Sequence, residues 1–287
     1  MKYAFIATHR TDHKVARLCR VLGVSRSAYY AWQKQPTSQR EQANQALAKQ
    51  VQTLFDSSQQ TYGSRRIRMA LRGQGIRCGR ARVERVMQQL ALKVPFNRRR
   101  ISTTKANPHD PTGENKLARN FTAEQPNQKW LVDITYIDTQ EGTLYLAGVL
   151  DIFSRKIVGW AMESHMRDEL TQAALAMALR TRQPQPGLLH HSDRGAQYTS
   201  TEYQAIFEKF GIEVSLSRAH NCFDNAPMES FWGTLKTECV YRHTFRTRAE
   251  AKNVIFAYLE AFYNRQRLHS TLDYLSPENF ERTHVTS

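Results

Sequence analysis

The sequence predicts an α/β domain preceded by all-α segments of helix-turn-helix type. Three observations lead there. Apolar runs at 129–137, 143–151 and 156–162 are short and separated by turn residues, which is the pattern of an antiparallel meander. Helical and strand patterns then alternate as far as residue 241. The first 95 residues instead show helical periodicities broken at glycines.

Charge divides the chain in the same place. The formal net charge is +15. Residues 1–120 hold 24 Lys and Arg against 6 Asp and Glu, or +18, and the remainder holds 17 against 20, or −3. An excess confined to the helical part points to a polyanionic partner, with nucleic acid the natural one. No run approaches the length of a membrane span. Cys19, Cys78, Cys222 and Cys239 are scattered without a close pair, which excludes a zinc knuckle or a disulfide framework and fits a reducing compartment.

Residues 1–36 form the first expected segment. Val15, Leu18, Cys19 and Leu22 stand at helical spacing, Gly23 breaks the pattern, and Ser25 can cap a second helix carrying Tyr29 and Trp32. Arg26 opens that second helix, the usual place for contacts to base edges. Residues 41–95 form a basic helical module. One helix spans 42–55, Ser64 can cap another with Ile67, Ala70 and Leu71, and a third follows Gly79 with Val83, Val86, Met87 and Leu90. Its arginines, Arg65, Arg66 and Arg68 among them, have few acids nearby and are read as phosphate contacts. Residues 96–124, opening with Asn97-Arg98-Arg99-Arg100 and containing Pro108 and Pro111, are read as a basic linker.

The α/β part is expected over 125–245, with 246–287 as a helical extension. After the three strands come a helix at 168–180, a strand at 188–191, a helix at 201–210, a strand at 212–216 and a helix at 227–241. A closing helix is expected at 248–266. Several α/β topologies share this order.

Three acids are placed where solvated charges seldom are. Asp133 lies inside the apolar run Trp130-Leu131-Val132-Asp133-Ile134-Thr135-Tyr136, where an ionised carboxylate is costly unless a metal or hydrogen bonds compensate it. Asp193 follows Leu188-Leu189-His190-His191-Ser192 and precedes an Arg-Gly turn. Glu229 follows Asp224 or Asn225 as cap and Pro227 in the first turn. Three carboxylates on rigid elements are what hard divalent cations need for phosphoryl transfer. Asp151 is also flanked by apolar residues, but Ser154-Arg155 follows it, and a structural role at a strand end is expected. His190 and His191 are read as packed strand-end histidines. Lys236 lies two helical turns after Glu229, on the same face, and is expected to meet substrate phosphates.

The residues around these acids resemble DDE transposases of two-frame insertion sequences, in particular the second-frame product of the IS-three group. The resemblance is carried by Trp130 with Asp133-Ile134-Thr135-Tyr136, by His191-Ser192-Asp193-Arg194-Gly195-Gln197-Tyr198, and by Asp224-Asn225-Ala226-Glu229-Ser230-Phe231 with Lys236. Tyr263-Asn264-Arg267-His269-Ser270 continues it, without an evident role for each residue. It implies a ribonuclease-H-like, integrase-type core, and Asp133, Asp193 and Glu229 as catalytic residues and metal ligands. It also implies two Mg2+ ions, with Mn2+ possible, and strand cleavage and strand transfer at the ends of an insertion sequence. The implied partners are DNA, with Arg26, Arg65, Arg66, Arg68, Arg98, Arg99, Arg100 and Lys236 as contacts, a first-frame protein or frameshift fusion, and further copies of the chain on DNA. A bacterial, cytoplasmic, nucleoid-associated protein is implied. The competing reading is a non-catalytic DNA-binding regulator or inactive relative, and a nuclease without strand transfer is a third.

Overall fold

Ile6, Leu18, Cys19 and Tyr29 form a small core between three short helices, α1 (Lys2–His9), α2 (Val15–Val21) and α3 (Arg26–Lys34). Gly23 takes a left-handed conformation at φ 61° in the turn between α2 and α3, which glycine adopts without steric cost. The Ser25 hydroxyl accepts the Ala28 N–H at 3.1 Å, capping α3 as expected. The sequence reading did not anticipate α1. These helices belong to the first of two compact units in a computed structural model, Met1–Lys93 and Val94–Ser287. The structure describes residues 1–34, 39–94, 114–198, 200–218 and 222–285.

Three further helices complete the first unit: α4 (Gln39–Ser57), α5 (Ser64–Gly73) and α6 (Arg80–Gln89). They bury Leu47, Val51 and Phe55 against Ile67, Leu71, Val83, Val86 and Met87. Ser64 is not a cap. Gly63 occupies that position, and the Ser64 hydroxyl instead donates to Glu84 Oε1 at 3.0 Å, tying α5 to α6. Arg80 bonds the same carboxylate oxygen at 2.7 Å.

The second unit is built on a five-stranded sheet. Its strands are β1 (Lys129–Ile137), β2 (Leu144–Asp151), β3 (Ile157–Glu163), β4 (Leu189–Ser192) and β5 (Glu213–Leu216), in the order β3-β2-β1-β4-β5. β1, β2 and β3 pair antiparallel, and β4 and β5 run parallel to β1. Parallel pairing requires crossovers, supplied by α7 (Asp168–Arg182) and α8 (Thr201–Phe210). Trp130, Val132, Ala147, Val149 and Val158 pack against Leu170, Ala174, Leu175 and Ala178 on one face of the sheet. The approach of α7 is close: a Cβ at Gly159 would collide with the Ala174 carbonyl oxygen. The order of elements is that of the ribonuclease-H-like core.

Three more α-helices follow β5 among the described residues. α9 (Ala226–Glu238) packs against β1, and α10 (Arg248–Ala257) and α11 (Pro277–His284) close the chain. The expected continuous helix over 248–266 changes at Tyr258–Tyr263 into a π-helical turn. Beyond it, Asn264 pairs with the outer strand β3. Its Oδ1 accepts the Ile157 N–H at 3.0 Å and its Nδ2 donates to the Ile157 carbonyl at 2.9 Å, so one side chain satisfies an edge that would otherwise be open.

Residues 114–124, read from sequence as the end of a linker, are joined to the sheet. The Leu216 N–H donates to the Glu114 carbonyl at 3.1 Å, the Leu117 N–H to Ser215 Oγ at 3.0 Å, and the Leu117 side chain is buried. Arg98, Arg99 and Arg100 lie outside the described residues. No helix of the described residues is long and apolar enough to cross a membrane.

Candidate active site

Asp133 is the fifth residue of β1, paired in register with Gly148 of β2. Its carboxylate is held on both oxygens: the Ile134 N–H donates to Oδ1 at 2.8 Å and the Trp232 indole N–H to Oδ2 at 2.9 Å. Burial pushes its carboxyl up to about 7, helped by the negative charge of Asp193 and, more weakly, of Glu229, and against both hydrogen bonds. Both other acids are therefore near enough to repel it. Asp193 follows β4 directly, half-buried, with Oδ1 accepting the Gly195 N–H at 3.0 Å. Glu229 is exposed, in the first turn of α9. Strand middle, strand end and helix start thus bring three carboxylates from distant parts of the sequence within electrostatic reach of one another.

Among the described residues, no group of three or more His, Cys, Asp or Glu side chains is drawn together tightly enough to hold a metal ion. Three like charges without a counter-ion repel. The donor set nonetheless suits a hard divalent cation: all-oxygen ligands on strand and helix, and a buried acid whose two hydrogen bonds do not fully offset burial and repulsion of its ionised form.

Of the alternative caps for α9, Asn225 occupies the N-cap position, but its side chain makes no cap hydrogen bond, and Asp224 is engaged elsewhere. Asp224 is fully buried and accepts the Arg218 N–H at 2.9 Å, Arg218 Nε at 3.0 Å and Nη2 at 2.8 Å, Arg119 Nε at 2.9 Å and Asn115 Nδ2 at 2.8 Å. The Arg218 hydrogen bonds hold its carboxyl well below the usual range, although burial opposes them. Five donors converging on a buried carboxylate outcompete a helix N-terminus for it. Asn225 donates to the Val132 carbonyl at 3.2 Å, next to Asp133. The pair therefore fixes the start of the Glu229 helix to β1 and to residues 115–119.

The histidines are structural. His191 Nδ1 meets Ser215 Oγ at 2.8 Å and Nε2 meets Ser217 Oγ at 3.0 Å, while His190 Nε2 meets the Tyr203 hydroxyl at 3.2 Å. Burial pulls them down to about 4 and about 3, so both are neutral near pH 7. Asp151 is fully buried at the end of β2, with the Asn127 and Phe153 N–H groups on its oxygens and Arg182 at 3.4 Å. That carboxylate belongs to an ion-pair network with Glu281, away from Asp133 by three register positions. Lys236 is half-buried with Nζ 4.5 Å from the Tyr136 ring centroid; burial lowers its ammonium, and Asp138 and Asp133 oppose that.

In the helical unit, Arg26 and Arg65 are exposed, and Arg66 lies over the Tyr62 ring at 5.8 Å. Arg68 is half-buried, its Nε without a hydrogen-bond partner. Arg82 is fixed to Asn44 Oδ1 through Nε at 3.1 Å and Nη2 at 2.8 Å.

Of the residues that matter most here, the sequence reads Asp224 only as a helix cap and assigns Trp232 no role. Trp232 looks like one more apolar residue of α9, and only its indole N–H hinted at a buried acceptor.

Residues 123–222 and 229–285 match integrase core domain families, and residues 42–100 match an HTH-like domain. The chain is 46% identical over 263 residues to an uncharacterized 31 kDa protein of insertion element IS600 from Shigella sonnei, covering 92% of this chain and 97% of that protein. It is 39% identical over 288 residues to the transposase InsF for insertion sequence IS3A of Escherichia coli strain K12, covering 99% of this chain and 100% of that one. Among solved structures, the HTLV-2 integrase catalytic core domain in complex with magnesium is similar at TM-score 0.42 and 15% identity, over 55% of this chain and 97% of that one. Correspondence along the entire length at this identity, with an integrase core around the acids, makes the chain a member of the IS3 family of insertion-sequence transposases.

Proposed function

We propose that the protein is a DDE-type polynucleotidyl transferase that cleaves DNA at the ends of an insertion sequence and joins those ends to target DNA, using Asp133, Asp193 and Glu229. The observation that carries this reading is the setting of Asp133: an acid fixed inside a strand and hydrogen-bonded on both oxygens is pushed up chiefly by its burial and further by the charges of Asp193 and Glu229. Such an arrangement is costly without a cation and favourable with one.

The three acids would hold two Mg2+ ions, or Mn2+ in their place. Bound there, the metals supply activation of the attacking oxygen and stabilisation of the leaving oxygen. The residues of the chain do the remaining work. Ile134 and Trp232 orient the Asp133 carboxylate. Gly195 orients that of Asp193. Lys236, beside Tyr136, offers a cation to the phosphodiester two helical turns along α9 from Glu229. Arg26, Arg65, Arg66 and Arg68, with Arg98, Arg99 and Arg100, would neutralise phosphates farther along the DNA. The partners proposed are the element's own ends, target DNA, other copies of the chain on DNA, and a first-frame protein or its frameshift fusion. The segments 1–36, 41–95, 96–124, 125–245 and 246–287 are proposed as the functional divisions.

The test is a joining assay with labelled ends of the host element. Magnesium-dependent joined product is the expected result. Cleavage without joining would make the protein a nuclease, and DNA binding without either would leave a regulator.

The charge division gives a second expectation. A fragment of residues 1–120 should bind duplex DNA with an affinity that falls steeply with salt, at a slope near −0.9 in log–log terms for each phosphate neutralised. The fragment from Phe121 onward, at −3, should bind far more weakly. Titrations of both fragments between low and physiological salt decide it, and equal affinities would place the DNA-binding charge elsewhere.

A further inference from the structure

Trp232 reaches the first acid from the helix that carries the third. It lies three residues after Glu229, close to one turn along α9, and its indole N–H donates to Asp133 Oδ2 at 2.9 Å. The indole is almost completely buried. Space for it is made by the residue opposite Asp133 in the sheet: a Cβ at Gly148 would stand 2.9 Å from Trp232 Cη2 and 2.9 Å from Met228 Cε. The missing side chain at Gly148 is thus what lets α9 approach β2 beside the acid.

We infer that Trp232 is a positioning residue that fixes the Asp133 carboxylate, and with it the spacing between Asp133 and Glu229, for binding of a divalent cation. This rests on the reading of the three acids as metal ligands. An indole N–H is a donor only, so it favours the ionised carboxylate, the form a cation binds. With the Ile134 N–H on Oδ1 and Trp232 on Oδ2, the carboxylate cannot rotate, and the remaining lone pairs point along fixed directions. Because the donor is on α9, displacement of that helix would disturb Asp133 and Glu229 together. A phenyl ring in the same place would fill most of the space and offer no donor.

The experiment compares the full chain with Trp232→Phe, Gly148→Ala and Asp133→Asn. The half-saturating Mg2+ concentration is read from the melting-temperature rise across a magnesium series, alongside DNA affinity without metal. Partners that orient metal ligands typically matter by 10- to 100-fold, so Trp232→Phe should raise the half-saturating concentration by about tenfold and leave DNA affinity unchanged. Gly148→Ala, which keeps the donor but crowds the indole, should move it in the same direction. A Trp232→Phe protein with wild-type magnesium dependence overturns the inference. If that variant does not fold, an unchanged dependence in Gly148→Ala overturns it equally. Asp133→Asn separates the two levels: loss of the magnesium response there, with none in Trp232→Phe, sinks the role of Trp232 alone, whereas a retained response in Asp133→Asn sinks the reading of the acids.

Discussion

Asp133→Asn, Asp193→Asn and Glu229→Gln are each expected to abolish magnesium-dependent cleavage and joining while leaving DNA binding nearly intact. Each substitution keeps the size of the side chain and removes a charge that the proposed metals would require, and groups that act as a unit lose nearly everything on a single removal. The basic helical unit, which we propose supplies the DNA affinity, is untouched. The metal-free protein carries a further signature. An aspartate in the unfolded chain titrates near 3.9, whereas burial and the two neighbouring acids push Asp133 up to about 7 in the folded chain. Between these values the native state holds a proton that the unfolded state has lost. Metal-free stability therefore falls as pH rises from about 4 to 7. Asp133→Asn should remove that fall and raise the metal-free melting temperature at pH 7 and above. Asp151→Asn serves as the control, since its carboxylate faces Arg182 rather than the other acids. Strong joining activity in Asp133→Asn, or its clean loss in a well-folded Asp151→Asn, would move the active site.

The largest expected loss of stability is at Arg267. Its guanidinium is buried and grips Glu238 with two parallel bonds, Nε to Oε2 and Nη2 to Oε1, both at 2.7 Å. The Tyr258 hydroxyl donates to Glu238 Oε2 at 2.9 Å, and His269 Nε2 lies 3.2 Å from Arg267 Nη1. Tyr263 packs edge-on against both His269 and Phe231 and donates its hydroxyl to the Arg155 carbonyl at 3.1 Å. These contacts let Arg267 and Tyr258 fasten the last turn of α9, the helix carrying Glu229, to the segment that follows α10, while Tyr263 packs on Phe231 of the same helix. Arg267→Ala removes the buried guanidinium that grips Glu238, and breaking a buried pair by removing one partner typically costs about 3–5 kcal/mol. For a unit of this size that corresponds to a melting temperature lower by roughly 10 °C. Removing both charges in Arg267→Met with Glu238→Gln should recover most of the loss, because the cost of breaking a buried pair lies largely in the charge left behind. Thermal denaturation of the single and double variants reads this directly. A double variant no more stable than the single one would show that the fork itself holds the helix.

The sequence by itself determined the order of elements from α2 to α9, the division of charge and the three candidate acids. Each depends on information local to a short stretch: the period of apolar residues in β1 and α8, the turn at Gly23, the cap at Ser25, the acid inside an apolar run at Asp133. Local patterns also misled. Ser64, Asp224 and Asn225 have the chemistry of caps, but their side chains are taken by partners that sequence does not place beside them: Glu84, Arg218 with Arg119, and Val132. Only the tertiary structure decided these, and with them the indole on Asp133, the fork between Glu238 and Arg267, and the docking of residues 114–120 on β5. Periodicity tells which face of a helix is buried. It does not tell which polar group, up to a hundred residues away, will be buried against it, and a desolvated donor takes whichever acceptor the packed backbone brings within hydrogen-bond reach.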